Sequence, residues 1–188
     1  MSAEPNLRSL RDRPFDLLRE IERRARAALK GLGGDASEER LWVGVAFRLG
    51  GESFLAAREE TREVLSFPNL LARVPGAKAW VRGLASVRGQ LLPVIDTRNF
   101  LGGGVTPSNR GARVVVVNHR DVPAGLMVDE VLGFRRFNDS EFTPEAPTTL
   151  LRCERYLAGA FKRGAEVWPV FSLRTLLESN EFLQAAAS

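Results

Sequence analysis

From residue 41 onward, apolar side chains recur at every second position, and this period constrains the fold more than any other feature of the sequence. The segment LWVGVAFRL (41–49) places alternate side chains on opposite faces of a strand. Gly50 and Gly51 follow, and then the strand-like segment ESFLAA begins. Because two glycines between such segments favour a two-residue turn, the pattern predicts a β-hairpin.

The rest of the chain continues as short apolar runs separated by glycine, proline, asparagine and aspartate. These runs span residues 81–87, 90–96, 113–119, 124–134, 155–161 and 166–171. Many short strands with regular turns predict a mostly β barrel or sandwich rather than alternating strands and helices. Pro93 and Pro169 lie inside two of the runs. Because proline is confined to strand edges and bulges, both favour small, strongly curved sheets with many edges.

Helices are predicted only near the two ends of the chain. Apolar residues at spacings of three and four after Pro14 predict an N-terminal helix, which the glycines of GLGG end. Two roles stay open for this helix, packing on its own domain or docking to a partner. Near the other end, Ser172 is expected to cap a short helix. The chain thus divides into a helical extension and linker (1–38), a β domain (39–180) and a tail (181–188).

No part of the sequence predicts export or insertion into a membrane. No apolar run approaches the roughly 20 residues that span a bilayer, and the first residues lack the apolar core of a signal peptide. Cys153 is the single cysteine, so no internal disulfide forms and a reducing, cytoplasmic location is expected. The net charge is only +4 with both signs interspersed, which favours an ordinary solvated surface.

Residue types that carry catalysis or bind metals are too few and too scattered to predict an enzyme. His119 is the only histidine and ends an apolar run, and Cys153 has no neighbouring cysteine. The glycines at 102–104 are not followed by the lysine of a phosphate loop. Asp96 and Asp129 each stand alone, whereas a general acid and base need paired groups with different pKa values. We therefore expect no catalysis, no cofactor and no metal.

A small nucleic-acid-binding barrel is the alternative from a different class of protein. Arg-Gly dipeptides at Arg82, Arg88, Arg110 and Arg163 are typical of segments that bind RNA, and small barrels bind single strands by stacking bases on aromatic rings. Here the dipeptides lie within strand-like patterns. The cations also do not cluster along the chain, as strong phosphate binding requires. The sequence therefore favours proteins over nucleic acid as partners.

The most specific segment is VPGAKAWVRGLASVRGQLLPVIDTRNFL (74–101), in which two Val-Arg-Gly units six residues apart precede an apolar run. It resembles the signature of the CheW family of chemotaxis coupling proteins, in which Asn-Leu-Arg-Gly precedes an apolar run that ends in Asp-Leu-Arg. Two further segments, TREVL (61–65) and AGLMVDEVLGF (124–134), resemble other motifs of that family. Together the matches cover about residues 41–178 in the family's order.

The resemblance implies two small, five-stranded, SH3-like β-barrels that share a core, here flanked by an N-terminal and a short C-terminal helix. It also implies a non-catalytic adaptor that joins the cytoplasmic tips of methyl-accepting chemoreceptors to the regulatory domain of a CheA-type histidine kinase. The N-terminal extension, the tryptophans at 42 and 80 and the C-terminal segment resemble family members that regulate type IV pili and twitching motility. An adaptor of flagellar chemotaxis is the alternative within the family.

The resemblance also assigns candidate contact residues, position by position. Arg88 matches the family arginine of the receptor-facing groove, and Glu63 and Val64 match a second element of that groove. Ser86 and Val87 stand where the family has asparagine and leucine, which is a departure from its pattern. These five residues are the predicted contacts with receptor or kinase.

Five further positions match the family as structural residues: Gly83, Gly89, Asp96, Arg98 and Asp129. The glycines are expected to permit close backbone approach and a tight turn. Asp96 is expected to cap a turn rather than to contact a partner. For Arg88, an ion pair within the chain to Asp96 or Asp129 remains the alternative to a partner contact.

Overall fold

The computed structural model of the protein describes residues 41–151 and 153–185. The predicted N-terminal helix lies outside these residues. The chain divides into two units, Met1–Glu39 and Arg40–Ser188, and every described residue belongs to the second. Among the described residues, no helix is long and apolar enough to cross a membrane.

About half of the described chain is β-strand, and the strand bounds follow the alternating runs of the sequence closely. The strands are β1 (Leu41–Leu49), β2 (Glu52–Ala57), β3 (Thr61–Ser66), β4 (Val81–Val87), β5 (Gln90–Asp96), β6 (Arg113–Val117), β7 (Gly125–Val128), β8 (Glu130–Asn138), β9 (Phe142–Thr143), β10 (Leu157–Arg163) and β11 (Glu166–Phe171). The short helices are α1 (Thr97–Phe100), α2 (Leu173–Leu177) and α3 (Asn180–Leu183).

The strands form two sheets, a six-stranded one in the order β8-β1-β2-β11-β10-β9 and a five-stranded one in the order β3-β6-β7-β5-β4. The prediction of five strands in each was wrong for the first sheet. Its sixth strand is the two-residue β9, which pairs with β10 at Ala160 and Phe161. So short a segment carries no alternation that a sequence pattern could reveal. The run 124–134 also forms two strands rather than one, because the chain leaves one sheet at Asp129 and enters the other.

In each sheet, an arginine contacts a strand that is distant in the strand order, which shows that both sheets curl. In the five-stranded sheet, Arg88 at the end of edge strand β4 contacts Glu63 on the other edge strand, β3. In the six-stranded sheet, Arg163 of β10 donates to the backbone oxygen of Arg136 in edge strand β8 at 2.8 Å. Arg163 also holds both carboxylate oxygens of Glu141, and this pairing lowers the pKa of Glu141 to about 2.

Three clusters of buried side chains explain why the two sheets stay together. The largest contains residues of both sheets, among them Phe47 and Phe54 from one and Ile95, Val115 and Leu126 from the other. A second cluster lies within the five-stranded sheet, and an aromatic one lies within the six-stranded sheet. Burial of this much apolar surface is the dominant favourable term in folding. The arrangement agrees with the predicted shared core.

The two prolines lie in strands that have a neighbour on both sides, yet neither disrupts the ladder. Pro93 precedes Val94, where the parallel pairing of β5 with β7 begins. Pro169 precedes Val170, the point at which β11 pairs with β2. Each proline therefore lies where only one neighbouring strand pairs with it, so the side of the strand without a partner can take the position that lacks an N–H.

The C-terminal helices belong to the core of the domain. Ser172 caps α2 through its hydroxyl, which accepts a hydrogen bond from the Thr175 N–H at 3.2 Å. The carboxylate of Glu60 accepts from the Leu173 N–H at 2.6 Å, so a second side chain satisfies the same helix end. Phe182 of α3 is buried and stacks on Trp80 at a centroid distance of 5.7 Å. The structured part of the domain thus extends into the segment that the sequence assigned to a tail.

We expect the thiol of Cys153 to react with a thiol reagent only when the domain unfolds. The side chain is fully buried, and its burial raises the pKa of the thiol, so the reactive thiolate is scarce at neutral pH. Colour release from an aromatic disulfide reagent should be slow in buffer and complete within minutes in denaturant. Rapid stoichiometric labelling of the folded protein would contradict the burial of this side chain.

Candidate partner-binding groove

Arg88 and Gly89 form the two-residue turn of the β4–β5 hairpin, with Val87 opposite Gln90. Both turn residues have positive φ, 51° for Arg88 and 78° for Gly89. This combination marks a type I′ turn, which matches the twist of the flanking strands. Arg88 is the only non-glycine residue with positive φ among the described residues. Because such a conformation costs a side-chain-bearing residue roughly 1 kcal/mol, the arginine is held at an unfavourable position.

The Arg88 guanidinium forms an ion pair with Glu63, with an Nη2–Oε2 distance of 2.8 Å. The arginine side chain is 77% exposed and that of Glu63 is 20% exposed. The expected alternative, a pair with Asp96 or Asp129, is therefore wrong. Both aspartates are committed to backbone and hydroxyl donors elsewhere. An exposed pair such as Arg88–Glu63 contributes about 0–1 kcal/mol to stability, so it orients the guanidinium more than it stabilises the fold.

The ion pair borders a concavity of about 190 Å³, which we call the Arg88 groove. Its lining comes from three parts of the curled five-stranded sheet: β3, the β4–β5 hairpin, and the end of β6 with the loop after it. The lining residues are Arg62, Glu63, Val87, Arg88, Gln90, Leu91, Leu92, Val116, Val117, His119 and Pro123. The groove thus combines an apolar floor with charged groups at its rim, as sites that orient a partner do.

Three of the five predicted contact residues, Glu63, Val87 and Arg88, come together in this groove. Val64 and Ser86 do not line it. Val64 alternates with Glu63 along β3 and is 37% exposed. Ser86 lies opposite Leu91 in the β4–β5 ladder and is also exposed.

Among the groove residues that the sequence analysis did not predict, Leu91 is the most exposed apolar one. Its side chain is 67% exposed, whereas that of the adjacent Leu92 is buried in the core of the five-stranded sheet. Two consecutive leucines in a strand point to opposite faces, so one of them must leave the core. This signal was present in the segment QLLPVID and could have identified an exposed apolar contact.

His119 supports the loop at one end of the groove. Its Nδ1 accepts hydrogen bonds from the backbone N–H groups of Asp121 and Val122 at 3.3 and 3.2 Å. Its Nε2 lies 3.4 Å from a carboxylate oxygen of Glu178. The ring therefore has partners on both nitrogens, which is a structural use of the only histidine.

The predicted structural residues fix the loops beside the hairpin. Asp96 is fully buried and caps α1, because its Oδ1 accepts from the Asn99 N–H at 3.1 Å. The same carboxylate accepts from both the hydroxyl and the N–H of Thr106. Arg98 donates from Nε to the Gly103 oxygen at 2.7 Å. Asp96 and Arg98 thus hold the glycine-rich loop 101–106 in place.

Gly83 and Asp129 each hold two backbone segments close together. A Cβ on Gly83 would lie 2.5 Å from the Ala72 oxygen, and φ at this glycine is 141°. Asp129 accepts a hydrogen bond from the Gly50 N–H at 2.7 Å, which ties the β1–β2 turn to the chain between β7 and β8. These residues act on the scaffold rather than on the groove.

Within residues 41–151 and 153–185, no group of three or more histidine, cysteine, aspartate or glutamate side chains could hold a metal ion. Cys153 is buried, and its sulfur lies 3.3 Å from the Thr149 hydroxyl. The groove itself contains one carboxylate, Glu63, and one imidazole, His119, which is bonded to backbone N–H groups. The Arg88 groove therefore offers an exposed guanidinium that can orient a binding partner.

Comparison with known proteins agrees with the curled two-sheet fold and the hairpin motif. The model of the CheW-like domain family matches residues 43–181, and the chain belongs to that family. It is 40% identical over 173 residues to the protein PilI of Pseudomonas aeruginosa, an alignment that covers 92% of this chain and 96% of PilI. It is 24% identical to the chemotaxis protein CheW of Helicobacter pylori, over 87% of this chain and 97% of that protein.

A solved structure shows the same fold. The scaffolding protein TtCheW from Thermoanaerobacter tengcongensis superposes with a TM-score of 0.65 at 22% sequence identity. The superposition covers 79% of this chain and 96% of that one.

Proposed function

We propose that the protein is a non-catalytic adaptor that couples chemoreceptor tips to the regulatory domain of a CheA-type histidine kinase. The observation that carries this proposal is the exposed Arg88, held by Glu63 in an unfavourable turn conformation at the rim of the Arg88 groove. Unfavourable backbone conformations persist where function requires them. A guanidinium fixed in this way can form paired hydrogen bonds to a carboxylate of a partner.

The pathway that we propose is the chemosensory system that regulates type IV pili and twitching motility. Similarity to PilI over nearly the whole length of both chains supports this choice over flagellar chemotaxis. The alignment covers 92% of this chain, and so includes residues that precede the family's matched region. The adaptor would work on the cytoplasmic side of receptor arrays.

The proposal predicts which partners and which behaviour depend on the protein. Immobilised full-length protein should retain a CheA-type kinase and receptor cytoplasmic fragments from its own genome. Deletion of the gene should abolish twitching and leave swimming unchanged, and the wild-type gene should restore twitching. Retention of neither partner would refute the adaptor role. Loss of swimming with normal twitching would favour the flagellar pathway.

The nucleic-acid alternative receives less support from the arginines that suggested it. Three of the four Arg-Gly arginines have partners within the chain. Arg82 donates to Ser108, Arg88 pairs with Glu63, and Arg163 pairs with Glu141. Phosphate would have to compete with the Glu63 and Glu141 carboxylates for two of these arginines, and its affinity depends on several free cations acting together.

A further inference from the structure

The loop between β3 and β4 presents three cations around one open concavity. The end of this loop and the first two residues of β4, residues 73–82, are together called the basic loop. It lines a depression of about 710 Å³ that contains Arg73, Lys78 and Arg82 and no carboxylate. None of the three cations forms an ion pair with another residue of the part of the chain that the structure describes, and Arg82 donates one hydrogen bond, to the Ser108 hydroxyl. No carboxylate of that part therefore lies within ion-pair distance of any of the three cations.

The backbone of the basic loop is fixed at both ends and in the middle. Ala72 and Leu84 exchange two hydrogen bonds of 2.9 and 2.8 Å at its base. The Lys78 N–H donates to the Ala185 oxygen at 2.8 Å. Trp80 packs edge-on against Phe100 at 5.1 Å and stacks on Phe182. Such a rigid loop loses little backbone entropy when it binds a partner. The like charges that it holds in place are therefore suited to recognise a group of opposite charge.

We propose that the basic loop binds an acidic, protruding segment of a protein partner, as a second contact separate from the Arg88 groove, with which its depression shares no lining residue. This inference rests on the adaptor function proposed above. A concave site fits a protruding segment better than it fits the flat surface of a bilayer. The only aromatic ring of the loop, Trp80, is directed into the core, so stacking of bases, which single-stranded nucleic acid needs, is not supplied here.

The test compares two double charge reversals of the full-length chain. Arg73→Glu with Lys78→Glu reverses the charge of the basic loop, because only Arg82 then remains as a cation, and Arg58→Glu with Lys162→Glu changes the net charge equally at exposed positions outside it. Binding to the purified CheA-type kinase and to a receptor cytoplasmic fragment is measured by calorimetry at about 50 and about 300 mM salt. We expect the basic-loop variant to bind one of these partners about tenfold more weakly and with a reduced salt dependence.

The matched control, Arg58→Glu with Lys162→Glu, should bind both partners within about twofold of the wild type. Its changed charges lie outside the proposed contact, where they alter affinity little. Equal binding by the two variants would overturn the basic-loop proposal and leave the adaptor function intact. If the wild type binds neither partner, both proposals fall. A loss confined to phosphatidylglycerol vesicles or to a single-stranded DNA oligonucleotide would show that the loop serves a membrane or nucleic acid instead. Melting curves of both variants establish that they are folded.

Discussion

Replacement of Arg88 by asparagine should leave the fold at least as stable and weaken partner binding in the same molecule. Asparagine tolerates positive φ, and Asn-Gly is the preferred pair in a type I′ turn, whereas arginine is unfavourable at φ 51°. The lost pair with Glu63 is exposed and contributes about 0–1 kcal/mol. We therefore expect the free energy of unfolding to stay level or to rise by up to about 1 kcal/mol in urea titrations.

The same Arg88→Asn change should weaken binding of the receptor fragment or the kinase by at least about tenfold, because it removes the charged group that orients the partner. Arg88→Lys keeps the charge but loses the planar guanidinium. The affinity of this variant should therefore fall between those of the wild type and of Arg88→Asn. Arg58→Asn, an exposed change outside the groove, should leave binding unaltered. If Arg88→Asn destabilised the fold, the ion pair between Arg88 and Glu63 would be a structural contact. A stable variant with normal binding would mean that the contact lies elsewhere.

The bounds of the β4–β5 hairpin could be predicted from the sequence, because they depend on the chemistry of adjacent residues. The segments VRGLASV and QLLPVID became β4 and β5 with the predicted ends, and Arg-Gly between them formed the turn. Alternation and a glycine at the second turn position are signals carried by adjacent residues. Capping of α2 by Ser172 is local in the same sense.

The pairing of side chains across the five-stranded sheet could not be predicted from adjacent residues. Glu63 and Arg88 lie on strands at opposite edges of the order β3-β6-β7-β5-β4, so only the curl of the sheet brings them together. The family resemblance named both residues separately, yet it could not indicate that they contact each other. Asp96 and Asp129 were plausible partners for Arg88 only while their own burial and backbone donors were unknown.

Gly83 should tolerate substitution far less than Gly89, although both are glycines of Val-Arg-Gly units with positive φ. A Cβ on Gly89 meets no atom within 4 Å, so Gly89→Ala carries only the backbone penalty of about 1 kcal/mol. A Cβ on Gly83 would meet the Ala72 oxygen at 2.5 Å. Because that oxygen accepts the Leu84 N–H hydrogen bond, it cannot move without loosening the base of the basic loop.

We therefore expect Gly83→Ala to lower the free energy of unfolding by about 3 kcal/mol or more, from backbone strain and the clash together. That is a large share of the roughly 5–15 kcal/mol that stabilises an ordinary domain. Urea midpoints at unchanged slope would measure both variants, and hydrogen exchange at Leu84 would report whether its bond to Ala72 has opened first. Equal midpoints for the two alanine variants would mean that the chain near Ala72 yields easily. In that case the base of the basic loop would not be rigid, and the proposed second partner contact depends on that rigidity.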